Sequence, residues 1–229
     1  MKKTIIIAAS IVLAGAMLPV SVARLKSYDR TVDVKGLCEK EVRADKVIWP
    51  LTYKVVGNDL NAALREIESD NAVVMSFLRD GGVADADITV KAPDISDKYA
   101  SEYGNNDRVY RYLCTCVITV CTSDVDKVLS LQTKLSDLMK KGIALTTNDW
   151  QNQTQFKFEA LNDIKPEMIE EATANAREAA RKFAQDSGSR LGKIKTATQG
   201  TFSIEDRDTN TPYIKKVRVV TYVTYYLNR

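Results

Sequence analysis

The stretch YRYLCTCVITVC, Tyr110 to Cys121, holds three of the four cysteines in the 229-residue chain. Its residue types are aromatic, β-branched and small, so it reads as a β-strand. Side chains in a strand alternate between two faces. Tyr110, Tyr112, Cys114, Cys116, Ile118 and Val120 therefore share one apolar face, and Cys121 turns the other way with Arg111, Thr115 and Thr119. Cys114 and Cys116 stand roughly 6.6 Å apart along such a strand, near the upper limit for a disulfide, and their side chains run parallel. A zinc site would need converging ligands, with Cys38 brought in from another strand. The first expectation is that Cys114 and Cys116 pack as small apolar residues. The alternatives are a structural disulfide involving Cys38 or Cys121, and redox or metal chemistry.

Strands and helices can be read outward from this stretch. Thr31–Cys38 alternates, with Val32, Val34, Gly36 and Cys38 on one side, and Val47–Val55 alternates again. Pro50 inside the second run predicts an edge position or a bulge. Asn58 is placed to cap a helix from Asp59 to about Asp80, closed by Gly81-Gly82. Its apolar stripe is Leu60, Leu64, Ile67, Val74 and Leu78. Asp87–Ala92 reads as a strand, and a polar tip at Asp97–Asp107 leads into the cysteine strand. Ser123 and Asp126 resemble a capping box for a helix ending at Gly142, with Val125, Val128, Leu129, Leu135, Leu138 and Met139 inward. Ile143–Phe158 looks extended. Pro166 suits the first turn of a third helix carrying Ile169, Ala172, Ala176, Ala179, Ala180 and Phe183, which stops near Gly188. Strands at Lys193–Ile204 and Tyr213–Leu227 finish the chain. The sum is an α+β fold, antiparallel sheets packed against helices. FLRDGG (Phe77–Gly82) and FAQDSG (Phe183–Gly188) lie at one offset, which also pairs Ile88 with Ile194. This suggests two related βαββ halves, about residues 43–122 and 143–229, joined by the helix at Ser123–Lys141.

The N-terminus reads MKKTIIIAASIVLAGAMLPVSVARLKS. Two lysines, an apolar run from Ile5 to Met17, Pro19, and the small residues Ser21-Val22-Ala23 read as an export signal over residues 1–23, leaving a mature chain 24–229. An uncleaved anchor is the alternative. No cysteine follows the run, which argues against a lipid anchor, and the expected compartment is a periplasm. The formal charge is +3, two units of it from Lys2 and Lys3, so charge gives no case for nucleic acid. The chain contains no histidine, which excludes Ser-His-Asp and Cys-His catalysis and every His-ligated metal site. There is no glycine-rich phosphate loop, since Gly81-Gly82 follows a helix rather than opening one.

Other polar candidates read as structural. Glu170 and Glu171 sit early in a helix, where acidic residues suit the dipole. Asp206 and Asp208 fall in a polar hairpin. Tyr222, Tyr225 and Tyr226 occupy both faces of the last strand, which predicts cover on both sides, from the fold or from another subunit. DWQNQTQF (Asp149–Phe156) combines an amide-rich face with an exposed tryptophan and is the expected contact surface. No catalytic, cofactor-binding or metal-binding residue is assigned.

Three stretches carry a family resemblance. VDVKGLCEKEVRADKVIWPLTYKV (Val32–Val55) is similar to the opening strand pair of the SIMPL-domain family, with Arg43-Ala44-Asp45 where that family has Pro-Asp. DVDKVLSLQTKLSDLMKKGI (Asp124–Ile143) and the extended run after it follow the same family. ATANAREAARKFAQDSGSRLGKIKTATQG (Ala172–Gly200) resembles its Ala-rich helix, A-x-x-x-A-x-x-x-A followed by G-x-x-L-G-x-[IV]. The likeness covers about Thr31 to Arg229. It implies an exported α+β envelope protein, similar to periplasmic immunogenic proteins and to proteins tied to oxidative-stress defence, some of which form large ring or channel-like oligomers. It brings no catalytic residues. The expectation is a non-enzymatic, self-associating envelope protein without cofactors, with a homo-oligomer as the expected assembly. A module holding a small apolar or aromatic molecule between sheet and helices is the second reading, and a thiol redox protein the third.

Overall fold

The structure, a computed structural model, describes residues 30–100, 109–146 and 150–228. The expected export segment and most of the polar tip at Asp97–Asp107 lie outside the described residues. In chain order the elements are β1 (Thr31–Arg43), β2 (Lys46–Gly57), α1 (Leu60–Asp80), β3 (Ile88–Val90), β4 (Asp94–Asp97), β5 (Tyr112–Thr122), α2 (Val125–Gln132), α3 (Leu135–Lys140), β6 (Gln155–Lys157), α4 (Leu161–Asp186), β7 (Arg190–Gln199), β8 (Ser203–Asp206) and β9 (Ile214–Asn228). They form two sheets with helices, an α+β fold. Two units divide the chain: one holds Val42–Ala160 and Asp206–Lys215, the other the residues up to Glu41, Leu161–Glu205 and those from Lys216 on.

In the unit built on Val42–Ala160, the sheet order is β3-β5-β2-β6, with β4 also beside β5. The β2–β5 ladder is antiparallel and unbroken from Val47↔Thr122 to Gly57↔Tyr112. One face carries Val47, Trp49, Leu51, Tyr53, Val55, Cys114, Cys116, Ile118 and Val120, all buried. Against it pack Ala63, Ile67, Val74 and Leu78 of α1 and Val128, Leu131 and Leu138 of α2 and α3. Each fully buried aliphatic side chain here contributes about 1.5–3 kcal/mol. Asp59, not Asn58, caps α1, its carboxylate accepting from the Ala62 N–H at 2.7 Å. The Asn58 side chain instead accepts from the Arg111 N–H at 2.8 Å. The single helix expected to end at Gly142 is two, α2 and α3, and Met139 is exposed rather than inward. Ser130 and Thr133 explain the break: their hydroxyls bond back to the carbonyls of Lys127 and Ser130, both at 2.7 Å, in competition with the helix.

Pro50 lies inside the β2–β5 ladder without a bulge. The Thr146 N–H donates to the Thr52 carbonyl at 2.7 Å, so even-numbered backbone groups of β2 point away from β5. On that flank β6 pairs only with Lys46–Ile48, and contact resumes at the Tyr53↔Leu145 bridge. Pro50 therefore occupies a gap in the sheet, where its missing N–H costs no ladder bond.

In the other unit the order is β1-β9-β7, and β8 also pairs β9. Thr224 bonds Asp33 near one end of β1 and Arg218 pairs with Glu39 near the other, so β1 and β9 run antiparallel. β7 is antiparallel to β9 as well. The inward row of α4 is Met168, Ala172, Ala176, Ala180 and Ala184, spaced by four residues and all buried. Phe183, expected inward, is 61% exposed. The helix lies too close to the sheet for an aromatic ring: a Cβ on Gly36 would stand 1.8 Å from the Ala172 carbonyl oxygen. α4 also begins earlier than expected, so Pro166 sits inside it, past the first turn. The strand read at Lys193–Ile204 is two, β7 and β8.

Both units follow one pairing scheme. A long strand (β2; β1) pairs with a central strand (β5; β9). That central strand also takes the strand after the helix (β3; β7) and a short one (β4; β8). The second set opens with β1, not with the stretch after Ile143.

Candidate functional site

The cysteine strand places its sulfurs as alternation requires. Cys114 and Cys116 are buried in the core face, Cys121 is exposed on the other, and all four cysteines of the chain are free. Burial pushes the Cys114 and Cys116 thiols up from their ordinary value. Tyr53, across the ladder from Cys116, donates its hydroxyl to Asn71 Oδ1 at 2.9 Å, and burial raises its pKa too. Cys38, buried on β1, lies 3.2 Å from a carboxylate oxygen of Glu171 on α4. Burial, with that carboxylate as the second cause, pushes its thiol up to about 11. These three sulfurs are thus held as thiols at neutral pH, the less nucleophilic form. Among the described residues, no group of three or more Cys, Asp or Glu side chains could hold a metal ion.

The other carboxylates singled out in the sequence are occupied structurally or lie in water. Glu170 is exposed. Asp206 pairs with the buried Lys215. Asp208 accepts from the N–H groups of Asn210 and Thr211 and from the Thr211 hydroxyl, which with Arg207 holds its carboxyl below the usual range.

Two surfaces stand apart from this structural chemistry. The first is the outer edge of β7. Among the described residues, this strand pairs only with β9. Its side chains are exposed on both faces from Lys193 to Gln199. The Gly200 N–H donates to the Val220 carbonyl at 2.8 Å, and the register from Thr196 to Gln199 is regular. Thr196 and Thr198 therefore face β9, while Ala197 and Gln199 turn their N–H and C=O groups outward. Tyr225 of β9 is buried under α4, whereas Tyr222, on the opposite face, is 46% exposed. The face expected to be covered is open there.

The second surface is the amide segment. Trp150 is 79% exposed. With Gln151 and Asn152 it overhangs the helix-free face of the five-stranded sheet, forming a cleft of about 410 Å³ walled by Lys54, Asp94 and Thr115. A neighbouring cleft of about 400 Å³ opens at the Pro50 gap and shares Thr146 and Asn152 with the first. Thr52 lines it, and the buried Thr52 hydroxyl has no hydrogen-bond partner among the described residues. Sequence reasoning found the amide segment but missed the β7 edge. The signal was present in KIKTATQ (Lys193–Gln199), which lacks the apolar alternation of a half-buried strand.

No helix among the described residues is long and apolar enough to cross a membrane. No curated protein matches the chain. A family model, SIMPL, described as a protein of unknown function (DUF541), matches residues 32–224.

Proposed function

The chain belongs to the SIMPL family, and for this member we propose a non-catalytic role as an exported envelope protein that assembles with copies of itself. The observation that carries the reading is the edge of β7, a ten-residue strand that among the described residues is bonded along one side only. Unpaired N–H and C=O groups in a row are a template for another strand. Edges are ordinarily blunted by lysines and bulges. In β7 both devices, Lys193, Lys195 and the register shifts, lie before Thr196, which leaves Thr196–Gln199 regular and uncharged. Antiparallel pairing about a twofold axis would set Ala197 of one copy opposite Gln199 of the next and keep the lysines of the two copies apart. Export rests on the basic, apolar and small-residue order of residues 1–23. The non-catalytic reading rests on the absence of histidine from the sequence and on three thiols held protonated. Light scattering on residues 24–229 at micromolar concentration tests it. A defined oligomer is expected, and a strict monomer would remove the reading.

A further inference from the structure

We propose that the cleft beneath Trp150 binds carbohydrate, taking the neutral hydroxylated ring of a pyranose against the indole face. Lys54 and Asp94 are both ladder partners of Thr115, so the three side chains form one row across β2, β5 and β4 on the helix-free face. Neighbouring strands are roughly 4.8 Å apart, and directly opposed residues point to the same face. The row offers a donor, a group that donates and accepts, and an acceptor, all fixed by the sheet. Facing it are Gln151 and Asn152, whose amides have both donor and acceptor atoms. Trp150 completes the cleft with a flat apolar surface held in water, which is the platform that the C–H face of a sugar ring covers.

A second observation comes from the adjoining cleft. The Thr52 hydroxyl is buried at the Pro50 gap without a partner among the described residues. An unmade hydrogen bond in a buried site costs roughly 1–3 kcal/mol, which a ligand hydroxyl, directly or through a water, would recover.

Lys54 and Lys91 outnumber Asp94 in the lining, so inorganic phosphate is included in the test below, and a response that it reproduces overturns the proposal. Other ligands fit the cleft less well. The wall is too polar for an apolar molecule. An extended peptide would need unpaired backbone groups, but those of Thr115 and Asp94 are engaged in the β4–β5 ladder. What the wall presents is side-chain hydroxyl, amide, ammonium and carboxylate, the set that reads a polyol.

Intrinsic fluorescence tests this on residues 24–229, because the chain has two tryptophans and Trp49 is 3% exposed against 79% for Trp150. The probes are chitotriose and maltotriose, which separate an N-acetylated sugar from a plain glucan, with tetra-alanine as the peptide arm and inorganic phosphate as the anion arm. A saturable blue shift with either trisaccharide is expected, abolished in Trp150→Ala and weakened about tenfold in Asp94→Asn. Thr52→Val should weaken the response while raising the melting temperature of the unliganded protein, a pairing that simple loss of structure would not give. No response to either trisaccharide overturns the proposal. So does a response that survives Trp150→Ala, or one that tetra-alanine or phosphate reproduces.

Discussion

Gly36 of β1 and Ala172 of α4 meet backbone to backbone: a Cβ on Gly36 would fall 1.8 Å from the Ala172 carbonyl oxygen and 2.6 Å from the Ala176 nitrogen. The atoms in the way are main chain, so no rotamer change relieves the clash. The alanine row of α4 and the glycine of β1 are two halves of one contact. Gly36→Ala should therefore cost about 3 kcal/mol, the upper end of the usual overpacking penalty. Urea unfolding followed by circular dichroism reads the loss, and a variant as stable as wild type would refute the packing.

Tyr53 fills the core of the other unit and donates to Asn71 Oδ1 at 2.9 Å. Tyr53→Phe keeps the ring and deletes the donor, leaving the Asn71 amide oxygen short of a partner. A loss of about 1–2 kcal/mol is expected, measured by the same unfolding experiment, with Tyr53→Phe/Asn71→Ala losing less than the sum of the single changes.

Cys38 gives a pH signature. Its folded thiol is raised to about 11 from the ordinary 9.0 by burial and by Glu171. Above the unfolded value the folded state binds more protons than the unfolded state, so its stabilising contribution is complete below pH 9 and is lost as pH rises towards 11. Two units correspond to roughly 2–3 kcal/mol. Cys38→Ala should flatten the alkaline fall in stability. Equal slopes for the two proteins between pH 9 and 11 would contradict the assignment.

The β7 edge predicts opposite fates for neighbouring prolines. Ala197 directs its N–H outward, so Ala197→Pro should leave the β9 ladder and the circular dichroism spectrum intact yet abolish assembly. Thr196 faces β9, so Thr196→Pro should remove a ladder bond and destabilise the fold by roughly 1–3 kcal/mol. Light scattering and thermal melts on both variants give the answer. Assembly that persists in Ala197→Pro would exclude this edge.

Much of this was legible in the sequence, and the failures have physical causes. Alternation over Tyr110–Cys121 located both faces of β5 because half-buried strands keep strict period two. The inward row of α4 was blurred at Phe183, because a stripe of alanines has little hydropathy contrast to mark its edge. The break at Thr133 carries no Gly or Pro, since hydroxyls bonding back to carbonyls made it. That β1 packs on α4, from Gly36 to Ala172, is a long-range pairing which no local window contains. The gap at Pro50 was half visible: proline announced an edge, but only the ladders show that the edge is local and bordered by a cleft. The amide segment was legible as a surface through Trp150, whereas the Lys54–Thr115–Asp94 row depends on register alone.

Backbone hydrogen exchange, resolved residue by residue along β7 at two protein concentrations, addresses the assembly edge most directly. In dilute solution the amides of Thr196 and Thr198 should be protected by β9, and those of Ala197 and Gln199 should exchange freely. On concentrating the protein, Ala197 and Gln199 should become protected as well. Exchange at these two amides that stays fast while the protein oligomerises, or that never depends on concentration, would contradict the account.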